Sequence, residues 1–326
     1  MNKRVLKKYL ERPELVALLV LVVLIGYFQY SSGGLFLSEY NLRGILSLLP
    51  ELTILALGFS LLIIAGEFDL SIGSMMAFMP MLIVVLIGTG ISFWLAFIIG
   101  CVAATCIGLF TGWIVLRFEI PSFIASLGML FVLRSLTVVL YSGDSVPILP
   151  TDAPSWAFSD YIGPIRISVV WMLALAAAFY VLLERTNFGN WIRATGSAVD
   201  SAKAMGIPTN KVKLVCFCLS ALCAGLAGMI QVVRIGSPLP SMGETMELQA
   251  IAAAVIGGIA LFGGLGSVLG VVIGMCIIRT IDAGMIMSRV DASWFKFALG
   301  AMLVLAVIMN TGLRNWAQRI KAETGK

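Results

Sequence analysis

The sequence predicts an all-α integral membrane protein, with about ten transmembrane helices in one bundle and both termini in the cytoplasm. Of its 326 residues, 60% are hydrophobic and only 12% are charged, and the mean hydropathy is +1.02. A soluble domain carries about a quarter charged residues, so this chain has too few to cover a water-facing surface. Apolar runs of membrane-spanning length also recur along the whole chain. We therefore expect one transmembrane domain over 1–326.

The first apolar run follows a basic segment and extends from Leu15 to Tyr30. Because it is long and no small-residue cleavage box follows it, we expect an uncleaved first span. The further apolar runs are at 46–65, 72–88, 92–116, 122–141, 166–183, 213–233, 248–262, 267–285 and 293–311. The run at 248–262 is short and interrupted by glycines, so nine spans plus a re-entrant segment is the alternative.

The distribution of basic residues predicts the orientation. With ten spans, the N-terminus, Arg117, the 184–213 connection and the C-terminal tail share one side, which holds fifteen of the 22 lysines and arginines. Cytoplasmic connections carry the excess of these residues. We therefore place 184–213 in the cytoplasm and the proline-rich connection 142–165 on the opposite face. The turn-rich stretch Arg234–Glu247 is a second external candidate.

The connection 184–213 is a polar island that contains a short helix with recognisable ends. Ser197 is placed to cap its first turn, and Asp200 takes the position of a capping-box acid. Gly206 stands where a left-handed residue ends a helix, and Pro208 prevents continuation. The sequence thus predicts about two helical turns in this connection.

This helix, Ala198 to Met205, has a thin apolar stripe made of Ala198, Ala202 and Met205. A helix so short is marginal alone in water because nucleation costs nearly as much as its hydrogen bonds return. Two interpretations stay open: a loop helix packed on its own bundle, or a docking element for a separate soluble partner.

A polar stretch at 66–73 interrupts the apolar pattern with Glu67 and Asp69. Lipid does not tolerate these carboxylates, so they must face protein or water. Ser71 is placed to cap a helix that begins at Ile72. The stretch is either a tight cytoplasmic-side turn with solvated acids or a broken helix beside a transport pathway.

Two further charges lie deep in predicted spans, Glu51 and Arg134. Each is interpreted either as a structural charge paired with another helix or as a marker of a pathway.

A glycine-rich stretch at 257–267 includes Gly257, Gly258, Gly263 and Gly264. Small residues at this density let helices approach closely, or let the backbone unwind where it lines a cavity. No lysine follows and no strand precedes, so a phosphate-binding loop is not indicated.

Several function classes lack the residues they need. The chain has no histidine, so an ordinary zinc or haem site cannot be assembled, and it has no P-loop motif for ATP. The six cysteines lie in apolar runs and indicate buried thiols rather than disulfides. Basic residues gather at membrane edges, which argues against a nucleic-acid partner. We expect neither a catalytic centre nor a cofactor in this chain.

Four stretches together resemble one family, the permease subunits of bacterial ABC importers for monosaccharides, in its ribose-type branch. GEFDLSIGS at 66–74 is similar to the family's GGIDLSVGS, and IPSFIASLGMLFVLRSL at 120–136 to its PxFIATLG segment. FGNWIRATGSAVDSAKAMGI at 188–207 resembles its cytoplasmic AA…GI stretch, and ELQAIAAAVIGGIALFGGLGSVLG at 247–270 its ELDAIAAVVIGG run. The likeness covers nearly the whole chain in order. Glu67 and Phe68 replace the commoner Gly-Ile, which bears on the sugar carried.

The resemblance implies a multi-pass protein of the bacterial inner membrane that works with partners. These would be a second permease copy or a sister permease, cytoplasmic subunits that bind ATP and Mg²⁺, and a periplasmic sugar-binding protein. The residues that it assigns to coupling with the ATPase are Gly196, Ser197, Ala198, Asp200, Ala202, Met205, Gly206 and Ile207. The deep charge and the polar and glycine-rich stretches described above supply the pathway candidates, which are Glu51, Glu67, Asp69, Ser71, Gly257, Gly258, Gly263 and Gly264.

One alternative of a different class remains at this stage. An ion-coupled secondary sugar transporter would use Glu51, Glu67 or Asp69 as its coupling carboxylate. A membrane-embedded enzyme is disfavoured because no acid/base cluster is found.

Overall fold

The protein is a bundle of α-helices. The computed structural model describes residues 13–141, 149–150, 153–163, 165–291, 293–305 and 307–308. The helices are α1 (Pro13–Ser31), α2 (Glu39–Ile64), α3 (Ile72–Gly88), α4 (Phe93–Phe118), α5 (Ser122–Tyr141), α6 (Ser155–Phe158), α7 (Ile167–Arg185), α8 (Asn187–Ser197), α9 (Val199–Ala204), α10 (Thr209–Ile235), α11 (Met246–Ile256), α12 (Val268–Met287) and α13 (Ser293–Leu305). Two short strands, β1 (Tyr161–Ile162) and β2 (Ile165–Arg166), pair antiparallel before α7.

Among the described residues, ten apolar helices lie in the ten predicted apolar runs, and the end of the last run, 309–311, lies outside the described residues. Seven of them, α1, α2, α4, α5, α7, α10 and α12, are long and apolar enough to cross a membrane. The helices α3, α11 and α13 are apolar but shorter. Thus the prediction of an all-α membrane protein is confirmed, whereas ten crossings and the side on which the termini lie stay predictions. With 11 residues, α11 is about 16 Å long and cannot cross a hydrocarbon core of about 30 Å alone, which favours the re-entrant alternative.

Helix α2 forms the centre of the bundle. Every residue from Leu49 to Ile64 is buried, and the helix packs against α7, α10, α11 and α12. Small residues allow this close packing: a Cβ added to Gly58 would lie 2.5 Å from Cys223 Cβ of α10. Helices in membranes associate largely through such close contacts. The six cysteines are free thiols.

The two deep charges bind other parts of the protein. Glu51 accepts two hydrogen bonds from the Arg234 guanidinium, at 2.6 Å and 3.1 Å. Arg134 donates to the carbonyl oxygens of Pro240 and Met242, the second at 2.8 Å. A buried charge is tolerated when it is paired in this way. The structure therefore favours the structural interpretation of Glu51, and its pathway role stays a prediction.

The stretch Arg234–Glu247, a second external candidate in the sequence, lies partly inside the bundle. Its first residue, Arg234, still belongs to α10, and in the connection that follows α10 Met242 and Gly243 are buried. A Cβ on Gly243 would lie 2.0 Å from the carbonyl oxygen of Gly73, at the start of α3. The hydrogen bonds from Arg134 hold this connection inside the bundle. This stretch is therefore partly buried in the bundle, and its place on the external side stays a prediction.

The 142–165 connection is described only in part, because 142–148, 151–152 and 164 lie outside the described residues. Its described part contains α6 and the hairpin strand β1, neither of which the sequence predicts.

Candidate functional site at the 184–213 connection

The polar connection contains two helices instead of the single predicted one. The Thr186 hydroxyl caps α8 by accepting the Gly189 N–H at 3.2 Å. Helix α8 buries Gly189, Ile192 and Thr195, whose spacing of three was the signal that sequence reasoning missed. The prediction that Ser197 caps the docking helix is wrong, because Ser197 is the last residue of α8.

The predicted docking helix is α9, one turn and a half of Val199–Ala204. Ala198 is extended (φ −160°, ψ 96°) and separates α9 from α8, and no side chain caps α9. Asp200 lies in its first turn, as predicted. Gly206 has φ +81°, and the Ile207 N–H donates to the Ala202 carbonyl at 3.0 Å. The predicted glycine-terminated helix end is thus confirmed.

Most of α9 is exposed. Of the predicted apolar stripe, only Ala202 is buried, whereas Ala198 is exposed and Met205 is 70% exposed. The stripe therefore does not pack as one face on the bundle. The apolar side chain of Met205 is thus left largely uncovered by the rest of the protein, and a docking element requires exposed apolar surface of this kind. The docking role itself stays a prediction.

Beneath α8 and α9, four glycines from three chain segments meet; we call Gly66, Gly196, Gly263 and Gly264 the glycine junction. The Gly264 N–H donates to the carbonyl oxygen of Ile64, the last residue of α2, at 2.8 Å. A Cβ on Gly196 would lie 1.9 Å from that same oxygen. A Cβ on Gly263 would lie 3.0 Å from Gly66 Cα. Only glycine permits backbones to approach this closely.

The glycine junction joins the end of α2 to the end of α8 and to the connection between α11 and α12. A Cβ on Gly264 would lie 2.2 Å from Ser197 Oγ, so the break between α8 and α9 sits directly on this junction. The sequence placed Gly196 with partner coupling, and Gly263 and Gly264 with the pathway. The structure brings these separately predicted residues together at one place.

Two ion pairs brace the surroundings of the junction. Lys213 Nζ, in α10, lies 2.5 Å from Glu67 Oε1, and each side chain is 12% exposed. Arg193 of α8 pairs with Glu184 of α7 and is 3.5 Å from the Gly266 carbonyl oxygen. The interpretation of this stretch as a turn with solvated acids is therefore wrong for Glu67, because Lys213 provides a charged partner inside the protein. Sequence reasoning did not predict this ion pair, because Glu67 and Lys213 are 146 residues apart in the chain and come together only in the fold.

Asp69 is completely buried in the connection between α2 and α3. Its Oδ1 accepts hydrogen bonds from the Ser71 backbone N–H at 2.8 Å and from the Ser71 hydroxyl at 2.5 Å. Its Oδ2 has no hydrogen-bond partner among the described residues. Burial raises the pKa of this carboxyl to about 6. The interpretation as a solvated acid is wrong here too, and Ser71 binds Asp69 instead of capping α3 with its side chain.

The glycines Gly257 and Gly258 lie at the end of α11. A Cβ on Gly257 would lie 2.1 Å from the Gly270 carbonyl oxygen, so this glycine lets α11 approach α12. Gly258 has φ +94° and follows the helix end. The packing interpretation accounts for Gly257, and a pathway role for either residue stays a prediction.

Sequence reasoning missed Glu247, in the first turn of α11. Its Oε2 is buried and has no hydrogen-bond partner among the described residues, and a Cβ on Gly73 would lie 2.1 Å from it. The carboxyl end of this side chain thus occupies the space that Gly73 leaves open. The signal was an acidic residue at the start of an otherwise apolar run.

Comparison with known proteins defines the class. A family model described as the permease component of branched-chain amino acid transport systems matches residues 41–307. The chain therefore belongs to this family of membrane permeases. It is 31% identical to the autoinducer 2 import system permease of Shigella flexneri, over 93% of this chain and 87% of the relative. It is likewise 31% identical to the ribose import permease of Escherichia coli K12, over 92% and 94% of the two chains. No solved structure matches it.

We predict that Gly196→Ala destabilises the protein and that Gly128→Ala does not. Both glycines are helical, but the new Cβ at 196 would meet the Ile64 carbonyl, whereas nothing lies within 4 Å of the one at 128. Overpacking of this kind costs about 1–3 kcal/mol, and an exposed helical glycine gains up to about 1 kcal/mol on becoming alanine. The measurement is the thermal unfolding midpoint of the purified variants in one detergent. Equal midpoints would contradict the close contact at the glycine junction.

Proposed function

We propose that this chain is the membrane-spanning permease subunit of an ATP-driven importer that carries a monosaccharide across the bacterial inner membrane. The observation that carries the proposal is the 31% identity, over more than nine-tenths of the chain, to permeases of two import systems. The apolar bundle and the exposed helix α9 support it, because an importer whose ATPase is a separate protein needs an element for that protein to bind.

The substrate class rests on the relatives. The ribose permease favours a ribose-like pentose, a hexose or a related polyol. The autoinducer 2 permease is equally identical, so identity alone does not choose between their substrates. The family description mentions branched-chain amino acids, which widens the range that a transport assay should cover.

The mechanism follows from the position of α9. ATP binding and hydrolysis with Mg²⁺ take place on separate cytoplasmic subunits, and α9 seats in a cleft of one of them. A movement of α9 reaches the glycine junction through Ser197, which touches Gly264. The junction passes the movement to the end of α2 and to the connection between α11 and α12. Because α2 is the centre of the bundle, displacement of its end shifts the helices around it.

Further partners complete the transport cycle. A second copy of the chain or a sister permease forms the other half of the pathway, and a periplasmic sugar-binding protein delivers the substrate. The sugar passes through a transient water-accessible route. No covalent step on the sugar is required, so this subunit is not itself an enzyme.

The ion-coupled alternative depends on a carboxylate that binds and releases a cation. Glu51 is paired with Arg234, and Glu67 with Lys213, which leaves them poorly suited to that task. Asp69 has an oxygen without a partner among the described residues and a pKa of about 6, so it is the residue on which this alternative must rest.

The variant Asp69→Asn distinguishes an ATP-driven importer from an ion-coupled transporter. It is tested with the permease reconstituted in vesicles together with its ATP-binding subunits and its sugar-binding protein. The asparagine side-chain oxygen can still accept both Ser71 hydrogen bonds but cannot bind a proton at neutral pH. We expect sugar uptake that requires ATP, persists when ionophores collapse the ion gradients, and survives the substitution. Uptake that ionophores abolish and that Asp69→Asn also abolishes would establish the ion-coupled function instead.

We further predict that Gly206→Val uncouples sugar uptake from ATP hydrolysis while membrane insertion stays intact. Gly206 has φ +81°, which a β-branched residue resists, yet no atom lies within 4 Å of its added Cβ. The defect should therefore come from a changed backbone at the end of α9 and not from a clash. Uptake and ATPase rates are measured on the same vesicles.

Gly206→Asn is the matched control, because asparagine tolerates the left-handed conformation better than other non-glycine residues. It should retain most of the uptake. Normal uptake by Gly206→Val would remove the coupling role of α9.

A further inference from the structure

The segment Ser155–Arg166 is described except for residue 164. It contains α6 and the paired strands β1 and β2, and its described residues carry large apolar side chains on the surface. Trp156 is 67% exposed, Ile162 is 62% exposed and Tyr161 is 53% exposed. A short element that is surrounded by water does not ordinarily expose three large apolar side chains so close together in the sequence. Exposed apolar surface of this kind indicates that another molecule covers it. The question is what covers it.

The length of α7 determines the depth of this segment. Helix α7 has 19 residues and is therefore about 28 Å long, close to the hydrocarbon thickness of about 30 Å. Strand β2 ends at Arg166, immediately before Ile167 begins α7. The hairpin must consequently lie at the edge of the hydrocarbon core, at the level of the lipid headgroups.

Aromatic contacts fix the segment against the ends of two spanning helices. Trp156 lies 6.2 Å, between ring centroids, from Trp94 in the first turn of α4. Phe158 stacks on Trp171 of α7 at 6.5 Å, and the Trp171 indole N–H donates to the Ala157 carbonyl at 2.7 Å. The segment is therefore held in place on the bundle, and its outer face has a defined direction.

Asp160 is exposed, whereas the basic side chain of the segment, Arg166, binds within the segment. The Arg166 guanidinium donates to Ser159 Oγ at 2.8 Å and lies 4.7 Å from the centre of the Tyr161 ring. Next to the segment, the exposed side chains of α4 and α7 form apolar surface, for example Leu95 at 52% and Leu173 at 58%. Through its contact with Trp94, the exposed Trp156 continues this apolar surface of the spanning helices.

We propose that Ser155–Arg166 is an interfacial element that lies in the headgroup region of the bilayer, with Trp156 and Ile162 in contact with lipid. Tryptophan and tyrosine are enriched at this depth because their rings are apolar and their N–H or O–H groups reach water. The occupant of this face is lipid, and not the periplasmic sugar-binding protein. The inference depends on the membrane-spanning fold alone and not on the proposed substrate.

The test is fluorescence quenching of Trp156 in the full chain reconstituted in phosphatidylcholine vesicles. Its contribution is the difference between the wild-type emission and that of Trp156→Phe, which keeps an aromatic ring and the fold. A second probe, in the hairpin, is Ile162→Trp in the Trp156→Phe background. Lipids brominated near the headgroup or near the chain end report depth, and aqueous iodide reports water.

We expect both probes to lose more fluorescence with shallow than with deep brominated lipids and little with iodide. Adding the sugar-binding protein should leave these values unchanged. Strong iodide quenching without lipid quenching would overturn the proposal, and protection from iodide by the binding protein would assign the face to that protein. Resistance to every quencher would also overturn it, because the face would then be covered by another protein chain.

Discussion

The hydrogen bond from the Gly264 N–H to the Ile64 carbonyl is the contact on which the arrangement of this protein depends. Helix α2 is surrounded by other helices along most of its length, and at this bond its last carbonyl meets the connection between α11 and α12. The approach is possible because Gly196, across the same carbonyl, has no side chain. The end of the buried helix α2 thus contacts the polar connection that contains α8 and α9.

This contact gives a physical reason why a movement outside the membrane can affect the interior. The contact is formed by backbone atoms, which have no rotamers to absorb a displacement. Ion pairs on both sides, Glu67 with Lys213 and Glu184 with Arg193, tie the junction to α10 and α7. We therefore expect a displacement of α9 to be passed to α2 and not to be dissipated in flexible side chains.

The interior shows how an apolar bundle accommodates charge. Glu51 is paired across helices, and Arg134 binds two carbonyls of the connection after α10 and so holds a non-helical segment inside the bundle. Irregular backbone at membrane depth is tolerated where protein surrounds it. Asp69 and Glu247 differ, since each keeps a buried oxygen without a partner among the described residues.

The apolar runs and the end of α9 were predictable from the sequence because both depend on local chemistry. Hydrophobic length indicates a membrane helix, and a glycine before a proline indicates a helix end, as at Gly206. The glycine junction was not predictable, because Gly66, Gly196 and Gly264 are distant in the chain and come together only through packing. Helix α8 was missed because its polar residues obscured the spacing of Ile192 and Thr195.

The central claim is that α9 is the place where a separate ATPase subunit binds, and a photo-crosslinking residue at Met205 tests it most directly. In membranes that contain the whole transporter, ultraviolet light should join this position to the ATP-binding subunit, whereas the same residue at Leu95, on an exposed apolar face of α4, should not form that product. Crosslinks from position 205 that reach only lipid or neighbouring helices of the bundle would contradict the account.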